Sequence, residues 1–273
     1  MDKMIIKCKK SGKIVDVLQK EGLRYNCIFR SLRNKDVKLN GKRIKENLEV
    51  AEGDTIEIFI EKSTPLNFEI VYEDENVYIV NKPKNIEIEG VGGLCEHLQA
   101  IAVHRLDRNT TGLVILAKNE KAKEILLQVF KNRWITKKYL CVVLGETFFK
   151  GEIFKGYLLK DSNLGKVTIS TRQLANSKEI STKFKTLKNN NGLSLVECEL
   201  LTGRTHQIRA QLSFLKHPII GDGKYGNNEI NKKYKEKYQK LHCFYLKINK
   251  INELMKNLQG KEFINYPDFF NQF

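Results

Sequence analysis

In the run AVHRLDRNTTGLVILAK, Ala102 to Lys118, Asp107 stands between Arg105 and Arg108, with Thr110-Thr111-Gly112 just after and apolar segments on both sides. As a purely structural residue, Asp107 would open an Asx-turn that Gly112 closes. A carboxylate beside a guanidinium is also held ionised, ready to act as nucleophile or base. If Val103 to Asp107 is extended, Arg105 and Asp107 project to one side and His104 and Leu106 to the other. A second constellation follows about a hundred residues later in LTGRTHQIRAQLSFLKHPIIGDGKYG, Leu201 to Gly226. Read as a helix, THQIRAQLSFL turns Ile208, Leu212 and Leu215 to a core. Thr205 and Arg209, four apart, share another face, with His206 three residues before Arg209. That arrangement delivers an arginine into a cleft from a rigid element. Taken alone, it equally describes a basic amphipathic helix with Arg and His in water.

The elements that must hold these residues follow from periodicity and punctuation. FEIVYEDENVYIVNKP, from Phe68, gives two short strands around an Asp-Glu-Asn turn, ending at Lys82-Pro83. Asn85 to Gly93 is Gly-rich and reads as a mobile loop. In NEKAKEILLQVFKNR, Ala122, Ile125, Leu126, Val129 and Phe130 repeat on one helical face, with Asn119 as N-cap. Lys137 to Leu144 and Leu193 to Leu200 read as strands, and the lysine-rich Asn227 to Lys240 as an exposed loop or insertion. Near the N-terminus, Val37-Lys38-Leu39 runs into Asn40-Gly41, a strong hairpin signal, and Thr55 to Ile60 alternates Ile56, Ile58 and Ile60 on one face. Glu61 to Pro65 reads as linker, its proline unable to continue a ladder. The order implies an α+β protein with a mostly antiparallel sheet.

Bulk properties narrow the class. Lys plus Arg exceeds Asp plus Glu by 48 − 32 = 16, which favours a polyanionic partner, although a Lys-rich genome would give the same excess. Between Arg30 and Lys45 the cations Arg30, Arg33, Lys35, Lys38, Lys42, Arg43 and Lys45 gather around the hairpin with Asp36 as the acid among them; a solvated face or phosphate-backbone contact would each explain this. The six cysteines are far apart without a C-x-x-C pair, and the five histidines are scattered, which argues against a zinc framework or a secreted disulfide scaffold. Cys141 and Cys198, in apolar runs, read as small buried hydrophobes. No apolar run is long enough to span a bilayer, and MDKMIIKCKKSGK has no signal-peptide core, so a soluble cytoplasmic protein is expected. A phosphotransferase is set aside because His-Arg-Leu-Asp inverts the kinase order and no Gly-rich phosphate loop accompanies it.

Taken together, HRLDRNTTGLVILAK and LTGRTHQIR resemble the RluA-type family of RNA pseudouridine synthases. The resemblance extends over nearly all of residues 68–250, through YEDENVYIVNKP, KKYLCVVLG, KHPIIGDGKYG and Leu241-His242 with Leu246. Within residues 1–62, VKLNGKRIKENLEVAEGDTIEI resembles the second half of the small αL-type RNA-binding domain. The implied organisation is an α/β RNA-binding domain over 1–62, a linker over 63–67, and a pseudouridine-synthase fold over 68–273, its mixed, mostly antiparallel sheet flanked by helices. The resemblance makes Asp107 the catalytic aspartate, Tyr139 the tyrosine that stacks on uracil, and Arg209 the basic partner of the aspartate. It makes Arg105 the residue that fills the gap left by the flipped uridine. Arg204 and His206, with Arg30, Arg33, Lys38, Lys42 and Arg43, are expected to contact RNA. Thr111, Lys84-Asn85, Gln211 and Lys216 depart from the usual family residues, none of them at Asp107, Tyr139 or Arg209.

The implied reaction breaks the bond from uracil nitrogen to ribose, turns the base and rejoins it through carbon 5. No atoms enter or leave, so no redox cofactor or metal is expected. The target must first leave its helix or lie in a loop. Attack on ribose and attack on the uracil ring both fit the residues. The expected partner is RNA, with large-subunit (23S) ribosomal RNA ahead of tRNA, for a monomer that binds no membrane. The alternative is a non-catalytic RNA-binding assembly factor that keeps the fold. An Asp107–Arg209 ion pair is the expectation that most directly tests the reading.

Overall fold

The computed structural model describes residues 2–23, 25–60, 67–90, 92–161 and 165–273. The chain divides into one compact unit of Met1–Leu66 with Glu89–Glu96, and a second of Asn67–Ile88 with His97–Phe273. Apart from Asn67, the linker expected over 63–67 lies outside the described residues, as does the side chain of Arg30.

In the smaller unit, β1 (Asp2–Lys7), β6 (Thr55–Ile60), β3 (Val37–Leu39) and β4 (Lys42–Ile44) form a sheet in the order β1-β6-β3-β4. The β3–β4 hairpin turns at Asn40 and Gly41, both with positive φ (48° and 81°), the conformation that a two-residue turn matching strand twist requires. Helices α1 (Ile14–Lys20) and α2 (Tyr25–Arg33) supply Ile14, Leu18 and Ile28, and β6 supplies Ile56 and Ile58, all fully buried in one cluster. A ribbon of β2 (Gly12–Lys13) and β5 (Glu49–Val50) completes the unit.

The larger unit is built on an eleven-stranded sheet. Its strands are β7 (Glu69–Glu73), β8 (Val77–Lys82), β9 (Ile101–Ala102), β10 (Thr111–Ala117), β11 (Ile135–Leu144), β12 (Lys150–Asp161), β13 (Lys166–Ser170), β14 (Lys178–Asn190), β15 (Leu193–Leu200), β16 (Leu241–Ile248) and β17 (Glu262–Ile264). The order is β13-β12-β14-β15-β11-β16-β10-β8-β7, with β17 beside β16 and β9 beside β10. Asp74 makes the turn between β7 and β8, its Oδ1 accepting the N–H groups of Asn76 and Val77 at 2.8 Å each. A short helix, α3 (Leu94–Leu98), lies between β8 and β9 in sequence, directly after the stretch Asn85 to Gly93 that was expected to be a loop.

Every pairing is antiparallel except β10 with β16, which meet at Thr111–His242 and Gly112–Cys243. A Cβ on Gly112 would lie 2.3 Å from the Cys243 carbonyl oxygen, and φ there is +103°. The glycine is therefore required by the close approach of two strands, beyond any part in closing the Asp107 turn. From Gly112 to Ala117 β10 is buried without interruption, as a central strand covered on both faces must be.

Helix α4 (Glu120–Lys131) begins as its sequence indicates, with Asn119 Oδ1 accepting the Ala122 N–H at 2.9 Å, and it buries Ala122, Leu126 and Val129. Helix α5 (Gln207–Phe214) is discussed below. The stretch Asn227 to Lys240 is not the exposed loop expected. It contains α6 (Asn228–Lys233), and its Asn231 and Gln239 are buried, Asn231 Oδ1 accepting the Gly221 N–H at 2.7 Å. Lysines dominate its composition, but the two amides, with Ile230 and Tyr234 packed against a core cluster, tie it to the fold.

Candidate active site

Asp107 lies in the segment between β9 and β10, which bends at Val103 and His104 and turns at Arg108 and Asn109, so the condition of an extended Val103 to Asp107 is not met as a strand. The reason is His104. β9 pairs with β10 only at Ala102–Leu116 and Ile101–Ala117, and the next β10 amide, Ile115 N–H, donates instead to His104 Nε2 at 3.0 Å. That bond takes the donor a longer β9 would have used, so the ladder ends and the chain is free to turn. The imidazole stacks on Phe130 at 4.6 Å, and burial, with the charge of Lys137, brings its pKa down to about 3, as suits a neutral acceptor.

The loop is fixed from several directions. Asp107 C=O accepts the Thr110 N–H at 3.0 Å, and Gln239 Nε2 donates to Thr110 Oγ1 at 2.7 Å. Thr111 places Oγ1 2.8 Å from His242 Nδ1. Lys82, fully buried at the end of β8, donates to the carbonyls of Pro83, Ile86 and Arg108 at 2.8, 2.7 and 2.9 Å. Three carbonyls match the three N–H groups of an ammonium. Burial lowers its pKa to about 7, against the opposite pull of Asp107 and Glu87.

Helix α5 starts at Gln207, later than expected, so Thr205 precedes it and does not share a helical face with Arg209. Gln207 explains the late start. Its Oε1 accepts the Arg204 N–H and the Thr202 hydroxyl, both at 3.0 Å, folding 202–206 into a tight turn that His206 leaves at φ 55°. Nor is the helix amphipathic, since Gln207 to Leu212 are all buried; Leu215, expected in the core, is half-buried past its end.

This enclosed helix presents Arg209. Its Nε and Nη2 donate to the two oxygens of Asp222 at 2.7 and 2.9 Å, and its Nη1 donates to Asp107 Oδ2 at 2.7 Å. The expected Asp107–Arg209 pair is therefore present, but as one arm of a guanidinium shared by two carboxylates. Asp222 is fully buried and also accepts the amides of Lys224 and Tyr225 at 2.8 and 3.0 Å. Burial opposes both charges, yet the bidentate bonding outweighs it: the Arg209 pKa is raised and that of Asp222 lowered. Tyr225 places its ring 5.2 Å from the guanidinium carbon and its hydroxyl 2.9 Å from His206 Nδ1. His206 Nε2 is 3.8 Å from Asp107 Oδ2, and burial lowers its pKa.

Asp107, His206 and Arg209 line one cleft of about 480 Å³, together with Arg105, Tyr139, Arg204 and Lys137. Tyr139 is 5% exposed on β11, and burial, then the neighbouring Cys243, raises its pKa well above the ordinary value, so the ring stands as a neutral phenol. Arg105 and Arg204 are exposed at the rim. The sequence-predicted set Asp107, Tyr139, Arg209, Arg105, Arg204 and His206 is thus brought together. Arg33, Lys38, Lys42 and Arg43 belong to the smaller unit, where Arg43 donates to Lys35 C=O at 2.7 Å. Sequence reading gave no role to Asp222, although an acid in a Gly-rich run of so basic a chain was a signal. Lys82, Lys137 and Tyr225 were likewise quoted within motifs without a function.

A carboxylate at a cleft wall, one oxygen held by a buried arginine and the other free of hydrogen bonds from described residues, can attack an electrophilic carbon beside an aromatic stacking face. Comparisons with known proteins place this architecture. Residues 76–214 match the family described as RNA pseudouridylate synthase. A Mycoplasma capricolum protein described as an uncharacterized RNA pseudouridine synthase is 30% identical over 90% of each chain. The ribosomal large subunit pseudouridine synthase C of Escherichia coli K12 is 30% identical over 84% of this chain and 80% of its own. The solved structure of human RNA pseudouridylate synthase domain containing 4 superposes with a TM-score of 0.62 at 22% identity, covering 74% of this chain and 90% of its own.

The fold is that of the pseudouridine synthases. The chain belongs to the RNA pseudouridine synthase family, RluA type, and is an isomerase acting on RNA.

Proposed function

We propose that the protein converts specific uridines of 23S ribosomal RNA to pseudouridine, with Asp107 as nucleophile. The observation that carries the assignment is the 2.7 Å bond from Arg209 Nη1 to Asp107 Oδ2, made by an arginine whose other donors are held by Asp222. With Oδ2 engaged, Oδ1 is the attacking atom. Tyr139 stacks on the extruded uracil, a contact worth roughly 1–3 kcal/mol. Arg105, exposed on the same loop as Asp107, takes the place the uridine leaves. The ribosomal substrate is supported by relatives named ribosomal large subunit pseudouridine synthase C. It is also supported by the cationic hairpin of residues 37–44, which suits an RNA-binding role for the smaller unit.

The test is to incubate unmodified 23S rRNA and, separately, tRNA with the protein and with Asp107→Asn. The RNAs are then digested to nucleosides, and the isomers, equal in mass, are separated chromatographically. Pseudouridine from rRNA with the unaltered protein alone supports the reading. Product from tRNA only would transfer the activity to tRNA. Tight binding without product in either would favour an assembly factor.

A further inference from the structure

Lys137 is a lysine in the cleft without a counter-charge among the described residues, and burial lowers its pKa. It stands on β11 two residues before Tyr139, on the same face of the strand, and lines the cleft with it. It is half-buried, and no hydrogen bond or ion pair joins it to a described residue; its ammonium lies 5.2 Å from the face of Phe130. The nearby thiol of Cys243 offers no compensation, because burial drives its pKa up to about 12 and it stays neutral. The adjacent Lys138 shows what an ordinary lysine on this strand does: it reaches Glu197 at 3.4 Å. Gly203 lies beside the ammonium, where a Cβ would stand in ordinary contact at 3.5 Å from Lys137 Nζ.

A partly desolvated ammonium with only a ring face for company is costly until an anion arrives. Resting on the reading of Asp107 and Tyr139 above, we propose that Lys137 binds the backbone phosphate of the uridine being modified. A uracil carbonyl would accept its hydrogen bond but leave its charge unbalanced, whereas a phosphate supplies both. Residues two apart on a strand are separated by about 7 Å, close to the reach from a base stacked on Tyr139 to its own phosphate. Lys137 then fixes the nucleotide at two points, base and phosphate, with Asp107 beside the glycosidic bond.

The test measures binding of a short single-stranded oligouridylate against salt concentration for the unaltered protein, Lys137→Gln and Lys137→Arg. Loss of one phosphate contact should reduce the slope of log affinity on log salt by about 0.7, with Lys137→Arg keeping the original slope. In turnover, Lys137→Gln should raise KM about 10-fold, the loss of one charge-assisted hydrogen bond. A methylphosphonate at the target uridine should raise KM similarly in the unaltered protein and add little in Lys137→Gln. An unchanged slope in Lys137→Gln, or full additivity with the methylphosphonate, would overturn the proposal. Lys137→Arg guards against misfolding: if both variants lose binding together while circular dichroism shows native structure, a phosphate role is also excluded. Absence of pseudouridine from the unaltered protein would count against the Asp107 assignment, while the salt slopes would still judge Lys137.

Discussion

In the larger unit Arg209 and Asp222 are buried, and each N–H of Arg209 directed at an acid meets a carboxylate oxygen within 2.9 Å. In the smaller unit Arg33, Lys42 and Arg43 stand in solvent, and among the described residues Arg43 alone of the three finds a partner, Lys35 C=O and more loosely Asp36 at 3.8 Å. The first set of charges cannot move without leaving a neighbour uncompensated in low dielectric, so it determines where atoms sit. The second set is hydrated and screened, so it acts on how strongly and how fast a polyanion arrives. One protein therefore uses charge for geometry in one place and for affinity in another, and substitutions should divide along the same line.

The largest effect is expected at the carboxylate itself. Asp107→Asn keeps the shape and one acceptor oxygen for Arg209 but removes the nucleophile. Pseudouridine formation should fall at least about 10⁴-fold, while thermal stability and rRNA affinity stay near those of the unaltered protein. Simultaneous loss of fold or affinity would show that Asp107 holds structure, and the division between geometric and binding charges would fail at its centre.

Next comes the partner that sequence reading missed. Asp222→Ala leaves the buried Arg209 without its bidentate carboxylate, which should cost about 3–5 kcal/mol of stability and displace Arg209 from Asp107. Chemical denaturation reads the first consequence, and kcat the second. The pH dependence has a definite sign. The folded pKa of Asp222 is depressed below the ordinary 3.8, so its contribution is fully present above that value and is lost as pH falls through the folded pKa. The unaltered protein should therefore lose stability on acidification below about pH 4, and Asp222→Asn should lack that component.

Why Asp107 and Arg209 could be read and Asp222 could not is a matter of what each residue's neighbours in sequence disclose. Asp107 stands between arginines, and Arg209 follows a Gly-Arg-Thr-His run; each pattern alone also fits a structural role, but together they carry the family resemblance that marks both. Asp222 acquires its role only when Gly221 and Gly226 let the chain close on itself; a Cβ at Gly221 would lie 2.0 Å from the Tyr238 carbonyl oxygen. The strands at Leu193–Leu200 and Lys137–Leu144 were legible because they are continuously apolar enough to be central. The long β12 and β14, paired with each other and joined through β13, were not assigned, because their lysines, asparagines and threonines dilute alternation on a solvent-facing ribbon. The late start of α5 was hidden for a different reason: Gln207 looks like helix interior, yet its amide caps the preceding turn. Likewise His104 ends β9 through a side-chain bond to Ile115 that spacing does not reveal.

In the smaller unit the expected effect is on affinity. The double substitution Lys42→Ala with Arg43→Ala should weaken RNA binding and lower the salt slope by roughly 1.4–1.8, two phosphate contacts' worth. It should leave kcat unchanged at saturating RNA and leave melting unaltered. A fall in kcat with the salt slope intact would mean that these exposed charges act on geometry after all, and the contrast between the two units would dissolve.

The smallest effect separates exposure from location. Lys247 and Glu262 form a 2.7 Å cross-strand pair between β16 and β17, in the same unit as Asp222, but their side chains are 36% and 44% exposed. If burial rather than membership of the larger unit makes a charge structural, Glu262→Gln should shift Tm by less than about 2 °C. The shift should vanish in high salt, where such a pair is screened. The pairing raises the Lys247 pKa and lowers that of Glu262, so any small contribution should persist between the two titrations and disappear at either extreme. A shift as large as that of Asp222→Ala, insensitive to salt, would show that short distance alone fixes the fold here. Desolvation would then not be what makes the charges around Arg209 structural either.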